Sequence, residues 1–170
     1  MEANLLKKRT NFGVVFSLLL LLSLSVASCS EQGVIENQSK TIQNEVWKEK
    51  ESITFDFSIT DTIEYFDVYL TLRNDENYRW SNVYLFSDLT FPNGKTRRDT
   101  LEITLADKYG NWLGNNSGTI ITTTARLINH RKFPLSGDYK IEVTHGMRVK
   151  ELDNVLNVGL KIKQWVGNKK

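Results

Sequence analysis

Cys29 is the residue in this sequence whose type and position most clearly indicate chemistry. It is the one cysteine of the chain and follows an aliphatic residue and two small ones, Val26-Ala27-Ser28. Upstream, three basic residues at 7–9 precede an uncharged apolar run over 12–26. That run is shorter than the roughly 20 residues of a membrane-spanning helix. A basic segment, an apolar segment and a small-residue cleavage site together predict a signal peptide over residues 1–28.

The expected cleavage would leave the Cys29 thiol at the new amino terminus. This arrangement resembles the lipobox of bacterial lipoproteins, in which the thiol becomes a diacylglyceryl thioether and the terminal amine, now that of Cys29, is also acylated. Two or more acyl chains hold a protein on a membrane almost permanently, because each buried methylene contributes about 0.8 kcal/mol. We therefore predict lipid attachment at Cys29, with palmitate as the expected acyl type. An ordinary signal peptide with a free thiol is the alternative.

Neither metal binding nor catalysis is predicted from the remaining reactive side chains. The two histidines, His130 and His145, lie in different segments, and a zinc site would need both plus converging carboxylates. We place both in surface or turn positions and expect no metal site and no cofactor beyond the covalent lipid. The sequence has no nucleophile elbow, P-loop or nucleotide-binding glycine pattern.

Four carboxylates lie on predicted strands, where a pair could in principle hydrolyse glycosidic bonds: Asp56, Asp67, Glu102 and Glu142. Each falls on the polar side of its strand, so we interpret all four as parts of solvated faces and expect no catalytic residues. The protein is therefore predicted not to be an enzyme.

Aromatic side chains are the stronger functional signal. Several lie outside the main apolar pattern or in loops, and rings at such positions anchor protein partners or stack on sugars. We select Trp112, Trp80 and Tyr84 as candidate partner-binding residues; Tyr65, Tyr69 and Tyr78 share the same pattern. The alternative is that a two-layer fold buries these rings, and for Trp112 that the ring anchors its own loop.

Composition excludes a nucleic-acid partner. Removal of residues 1–28 takes away three basic residues and one acidic one, so the 22 Lys and Arg and the 20 Asp and Glu become 19 of each. The mature chain then has a formal net charge of zero, which gives no electrostatic basis for binding a polyanion.

Alternation of apolar and polar residues predicts the elements that carry these side chains. Apolar residues recur at every second position over 53–59 and 66–72, and shorter or less regular strands are expected at 83–86, 101–105, 139–143 and 155–165. The segment 119–129 is compatible with a strand or a short helix. A proline-glycine turn lies at 91–95, and 107–118 is the longest expected loop. These elements predict an all-β fold, a single antiparallel β-sandwich that is jelly-roll-like.

Domain boundaries follow from the same patterns. The signal peptide occupies 1–28, and the polar segment 29–45 has the composition of a lipidated terminus and flexible linker. The sandwich is expected over 46–166, with 167–170 as a C-terminal tail.

Several short motifs occur in an order and spacing that resemble the GldH family of gliding-motility lipoproteins from the Bacteroidetes group. They include Asp61-Thr62-Ile63-Glu64-Tyr65, Val68-Tyr69-Leu70-Thr71-Leu72-Arg73-Asn74, Gly110-Asn111-Trp112-Leu113-Gly114, Gly137-Asp138-Tyr139 and Val158-Gly159-Leu160. The resemblance covers most of 46–163. It implies a non-catalytic cell-envelope lipoprotein required for gliding, working beside the type IX secretion machinery, with no cofactor and no catalytic residues to transfer.

We therefore expect a lipid-anchored accessory or assembly component whose partners are the membrane and other gliding or secretion proteins. Ser30 after Cys29 is compatible with sorting to the outer membrane. The alternative function is a glycan-binding sandwich of a polysaccharide-uptake system.

Overall fold

The computed structural model describes residues 32–165, which contain eleven strands. The chain divides into residues Met1–Gln32 and Gly33–Lys170, and every described strand belongs to the second unit. The strands are β1 (Val34–Thr41), β2 (Val46–Lys48), β3 (Ile53–Ile59), β4 (Phe66–Asp75), β5 (Asn82–Thr90), β6 (Thr96–Thr104), β7 (Asn115–Ser117), β8 (Ile120–Arg131), β9 (Gly137–His145), β10 (Glu151–Asp153) and β11 (Val155–Gln164). A 3-10 segment, Gln43–Glu45, separates β1 from β2.

The strands form one long folded ribbon. Strand β5 pairs with β6 across a tight turn, and further along the two arms β4 pairs with β8, β3 with β9, β2 with β10 and β1 with β11, always antiparallel. The ribbon is rolled, so the β5–β6 and β3–β9 pairs belong to one sheet and the β4–β8 and β1–β11 pairs to another, while β2 and β10 form a separate two-stranded sheet. The large sheet has the order β1-β11-β4-β8-β7, and the small sheet has the order β3-β9-β5-β6. This is the strand order of a jelly roll, so the predicted sandwich is confirmed.

The core lies between the two sheets, as the alternation predicted. Phe55 and Ile141 of the small sheet and Leu70 and Leu160 of the large one are fully buried. Burial alternates strictly along β3, where the side chains of residues 53, 55, 57 and 59 face inward. The segment 119–129, which the sequence left as either a strand or a short helix, lies almost entirely in strand β8. Thr and Ile favour extended backbone, and this strand pairs with β4.

The predicted flexible linker over 29–45 is wrong from residue 34 onward. Residues 34–41 form β1, an edge strand that pairs along its length with β11. Its side chains are exposed or half-buried, and an edge strand is held by backbone hydrogen bonds rather than by apolar contacts. The Gln38 side-chain amide adds a bond of 2.6 Å to the Asp56 carbonyl of β3 in the other sheet. The folded domain therefore begins 12 residues before the predicted start at 46.

The loops gather at two ends of the sandwich. The far end consists of the connections 76–81, 105–114 and 146–150. The terminal end consists of the connections 60–65, 91–95 and 132–136, together with Gly33 and Trp165, which lie at or next to the two ends of the described chain. The Gln164 N–H donates to the Gly33 carbonyl at 2.7 Å, and the Trp165 N–H donates to the Tyr65 carbonyl at 2.7 Å, which fastens both termini beside the 60–65 connection.

Candidate interaction surfaces

The three aromatic residues selected from the sequence lie together at the far end. The Ser81 carbonyl, next to Trp80, accepts hydrogen bonds from the N–H groups of Leu105 and Ala106 at 2.7 and 3.0 Å. Ala106 in turn forms a β-bridge with Trp112. Backbone pairing thus ties the β4–β5 connection to the β6–β7 connection.

Trp80 and Tyr84 are exposed, with 42% and 39% of their surfaces accessible. Tyr84 stands on the outer face of β5, directly across from Glu102 on β6. A hydrogen bond to the Glu102 carboxylate is the main reason that the pKa of the Tyr84 hydroxyl is raised. Both rings are therefore available to a partner, with polar groups beside the second.

Trp112, by contrast, is half-buried and packs against the hydrophobic core. This position fits the alternative interpretation, in which the ring anchors its own loop. Tyr109 and Leu113 are the more exposed side chains of this connection, at 78% and 58%. A direct partner contact by Trp112 stays a prediction.

The segment 107–118, predicted as a long loop, is held in place by hydrogen bonds and close packing. The Asp107 carboxylate accepts hydrogen bonds from the N–H groups of Tyr109 and Asn111 at 2.8 and 2.9 Å and from the Asn111 side-chain amide at 2.9 Å. These bonds lower the pKa of the Asp107 carboxyl, and the bond from the Asn111 side chain has the largest effect. Gly114 lies so close to β8 that a Cβ there would come within 2.7 Å of the Thr122 carbonyl oxygen. The connection thus ends packed on β8 and continues into β7.

The prediction that both histidines occupy surface or turn positions is wrong for His145. It ends β9 on the inner face, is 2% exposed and contacts Trp47 edge-on, with ring centroids 5.6 Å apart. Burial lowers the pKa of the imidazole, and the charge of Glu49 opposes that effect. Among the described residues neither ring nitrogen finds a well-formed hydrogen bond.

His130 is half-buried at the opposite end, on β8, with a positive φ of 46°. The backbone N–H of His130 donates to the Asp67 carboxylate at 2.8 Å. The two histidines therefore do not converge. Within residues 32–165 no three His, Cys, Asp or Glu side chains are grouped to hold a metal ion.

The four strand carboxylates do not all lie on one sheet. Asp67 belongs to the large sheet, whereas Asp56, Glu102 and Glu142 lie on the small one. The prediction of a solvated position is wrong for Asp67, which is 8% exposed because the His130 backbone and the Arg126 side chain, at 3.9 Å, cover it. Glu142 pairs with Lys140 at 2.9 Å.

A ring cluster at the terminal end escaped the sequence analysis. Tyr65 stacks on His130 with a centroid distance of 4.2 Å and an interplanar angle of 1°, and Trp165 meets His130 edge-on at 4.6 Å. The Lys132 ammonium lies 4.8 Å from the Tyr65 ring centroid. Tyr65 had been noted as lying outside the apolar pattern, but only the topology brings residues 65, 130 and 165 together. Tyr78, noted with it, is buried, and this burial raises the pKa of its hydroxyl.

A cationic groove continues from this cluster along the seam between β6 and β8. One part, of about 530 Å³, and another, of about 250 Å³, share Arg97, Arg131 and Lys132 in their walls. The floor is apolar and consists of Leu89, Phe91, Leu101, Leu127, Ile128 and Phe133. Arg97 pairs with Asp99 at 2.7 Å. Within residues 32–165, neither Arg131 nor Lys132 has a carboxylate at ion-pair distance.

The predicted signal peptide and lipid attachment residue Cys29 lie outside the described residues. In residues 32–165 no helix is both long and apolar enough to cross a membrane.

Comparison with known sequences identifies the family. The sequence profile described as GldH lipoprotein matches residues 34–162, from the first residue of β1 to within β11. The chain belongs to the GldH lipoprotein family. The resemblance noted in the sequence motifs is thereby confirmed, and membership implies a lipid-anchored protein of the cell envelope.

Two relatives share nearly the whole length of the chain. The gliding motility lipoprotein GldH homolog of Christiangramia forsetii is 27% identical over 163 residues, which cover 92% of this chain and 98% of the relative. The gliding motility lipoprotein GldH of Flavobacterium johnsoniae is 26% identical over 154 residues, covering 86% and 94%. Among solved structures, a family GH115 4-O-methyl-alpha-glucuronidase has 11% identity and a TM-score of 0.41, with 84% of this chain and 19% of that chain covered. That likeness is too low to carry an argument.

Proposed function

We propose that this protein is a non-catalytic, lipid-anchored component of the cell envelope that takes part in gliding motility and associates with the type IX secretion machinery. The observation that carries the proposal is the family match over 34–162 together with two nearly full-length relatives that are both named for gliding motility. The proposed attachment is the acylated Cys29, and Ser30 supports placement in the outer membrane.

A binding role rather than a catalytic one is supported by the side chains of the domain. Asp67 lies on a different sheet from the other three carboxylates considered for catalysis, Glu142 is paired with Lys140, and the two histidines lie at opposite ends. Trp80, in the tied β4–β5 connection, and Tyr84, on strand β5, instead present exposed rings. Rings held this way make good interface anchors, because a rigid support loses little entropy on binding.

The proposed partner surface can be tested by complementation. In a strain lacking this gene, the Trp80→Ala/Tyr84→Ala variant should restore little colony spreading and should co-purify less envelope protein than wild type, although it folds and stays on the membrane. Loss of two interface anchors typically costs about 2 kcal/mol or more each. Trp80→Phe, which keeps an aromatic ring, should retain most of the function. Full spreading by the folded double variant would remove these rings from the interface.

The alternative, a glycan-binding module of a polysaccharide-uptake system, is supported by one arrangement. The exposed Tyr84 ring stands beside Glu102, which accepts a hydrogen bond from the Asn82 side-chain amide at 2.7 Å, so stacking and polar groups occur together. Calorimetric titration with soluble polysaccharides would detect such binding. A saturable heat of binding that the wild type gives and the Tyr84→Ala variant does not would favour this alternative over the gliding role.

A further inference from the structure

The ring cluster and the cationic groove form one continuous surface at the terminal end. Lys132 belongs to both, since it covers the Tyr65 ring and lines both parts of the groove. The surface includes exposed apolar side chains, with Trp165 47% and Ile63 74% accessible. Amphipathic rings, exposed aliphatic groups and cations together are typical of surfaces that lie in the head-group layer of a membrane.

Two acidic side chains near this surface, Asp61 and Asp99, are engaged within the protein. Asp61 directs one carboxylate oxygen to the N–H groups of Ile63 and Glu64, at 2.7 and 3.3 Å, and so holds the 60–65 connection in shape. Asp99 is engaged by Arg97. Arg131 and Lys132 therefore remain the cations that an external anion would meet.

Chain length places this surface close to the proposed anchor. Four residue steps separate Cys29 from Gly33, so they span at most about 14 Å in any conformation. Gly33 is fixed beside the cluster, because its carbonyl accepts the Gln164 N–H and the next residue, Trp165, is bonded to Tyr65. The head-group layer on each side of a bilayer is only roughly 5–8 Å thick. A thiol-linked lipid at Cys29 therefore holds the terminal end within reach of the head groups.

We propose that the terminal end is a membrane-docking face. The Tyr65 and Trp165 rings enter the head-group layer, and Arg131 and Lys132 bind lipid phosphates at the groove. The domain then lies against the bilayer in a fixed orientation, with the far end directed away toward partners. The proposal rests on Cys29 as the attachment point of the proposed function.

The single cysteine allows a test that does not depend on native acylation. The mature chain is coupled through Cys29 to a maleimide-bearing lipid in vesicles of phosphatidylcholine and phosphatidylglycerol in equal amounts, with brominated acyl chains as a fluorescence quencher. Docking predicts strong quenching that is lost in Trp165→Phe and retained in Trp80→Phe. An absence of quenching, or quenching that depends on Trp80 instead, would overturn the proposal. Acylation of Cys29 in cells is measured separately, so failure of the anchor and failure of docking give different results.

A charge-matched pair of variants tests the groove. Arg131→Gln/Lys132→Gln should lower the docking equilibrium constant roughly 25-fold, since each cation near an anionic surface contributes about fivefold. Lys108→Gln/Lys150→Gln removes the same charge from the far end and should leave quenching unchanged. Equal effects of the two double variants would contradict docking through the groove, and the surface would then be assigned to a protein partner instead.

Discussion

Replacement of Leu70 by alanine tests how the large sheet is built. Leu70 is fully buried in the middle of β4, where it stands opposite Leu160 on β11 and Ala125 on β8. Removal of about three buried carbons costs roughly 2.4 kcal/mol at ~0.8 kcal/mol for each. A residual cavity of roughly 80 Å³ adds about 2 kcal/mol at ~24 cal/mol per Å³. Since strands on both sides prevent β4 from moving inward, we expect a total loss of about 4 kcal/mol.

The assay is equilibrium unfolding in urea of the chain from residue 30 onward, followed by tryptophan fluorescence, to which the buried Trp47 contributes. Thr71→Ala is the matched control: it changes the next residue of the strand, on the outer face, and removes a hydrogen bond of 2.9 Å to Thr124. It should cost about 1 kcal/mol or less. A shift of strand register by one residue would exchange the two faces. Equal losses, or a larger loss in Thr71→Ala, would refute the assigned register.

Three further predictions concern other parts of the chain. The pKa of His145 is lowered from 6.5, so the unfolded state takes up a proton on this imidazole before the folded state does. The free energy of unfolding should therefore fall as the pH drops below about 6.5. When unfolding is measured across pH, this dependence should be weaker in His145→Gln. A fatty-acid analogue should label the wild type and not Cys29→Ala, and an unlabelled wild type would refute lipid attachment. Trp112→Ala should free the 105–114 connection and raise its amide hydrogen exchange while the core stays protected; unchanged exchange would contradict the anchoring role.

The core strands could be predicted because burial of one strand face produces a regular pattern in the sequence. Wherever one face of a strand is covered, apolar residues recur at every second position, and this gave the residues of β3 and β4 directly. The same alternation runs through Tyr139, Ile141 and Val143 and places His145 on the inner face. Continuing the pattern by one step would have identified the buried histidine.

Other features of the structure produce no regular pattern in the sequence. Strand β1 is held by backbone bonds to β11 and leaves its side chains exposed or half-buried, so its composition is that of a linker. The ring cluster joins residues 65, 130 and 165, which only the rolled ribbon brings together. Tyr78 looks like a loop residue but inserts its ring into the core, where its hydroxyl donates to the Asn82 carbonyl at 3.2 Å. These depend on tertiary pairing, which local periodicity does not encode.

The central claim, that this is a lipid-anchored protein needed for gliding, is tested most directly by colony spreading of a deletion strain. We predict that the strain does not spread, that wild type restores spreading, and that Cys29→Ala does not restore it although the protein is made. Normal spreading of the deletion strain, or full rescue by Cys29→Ala, would contradict the account.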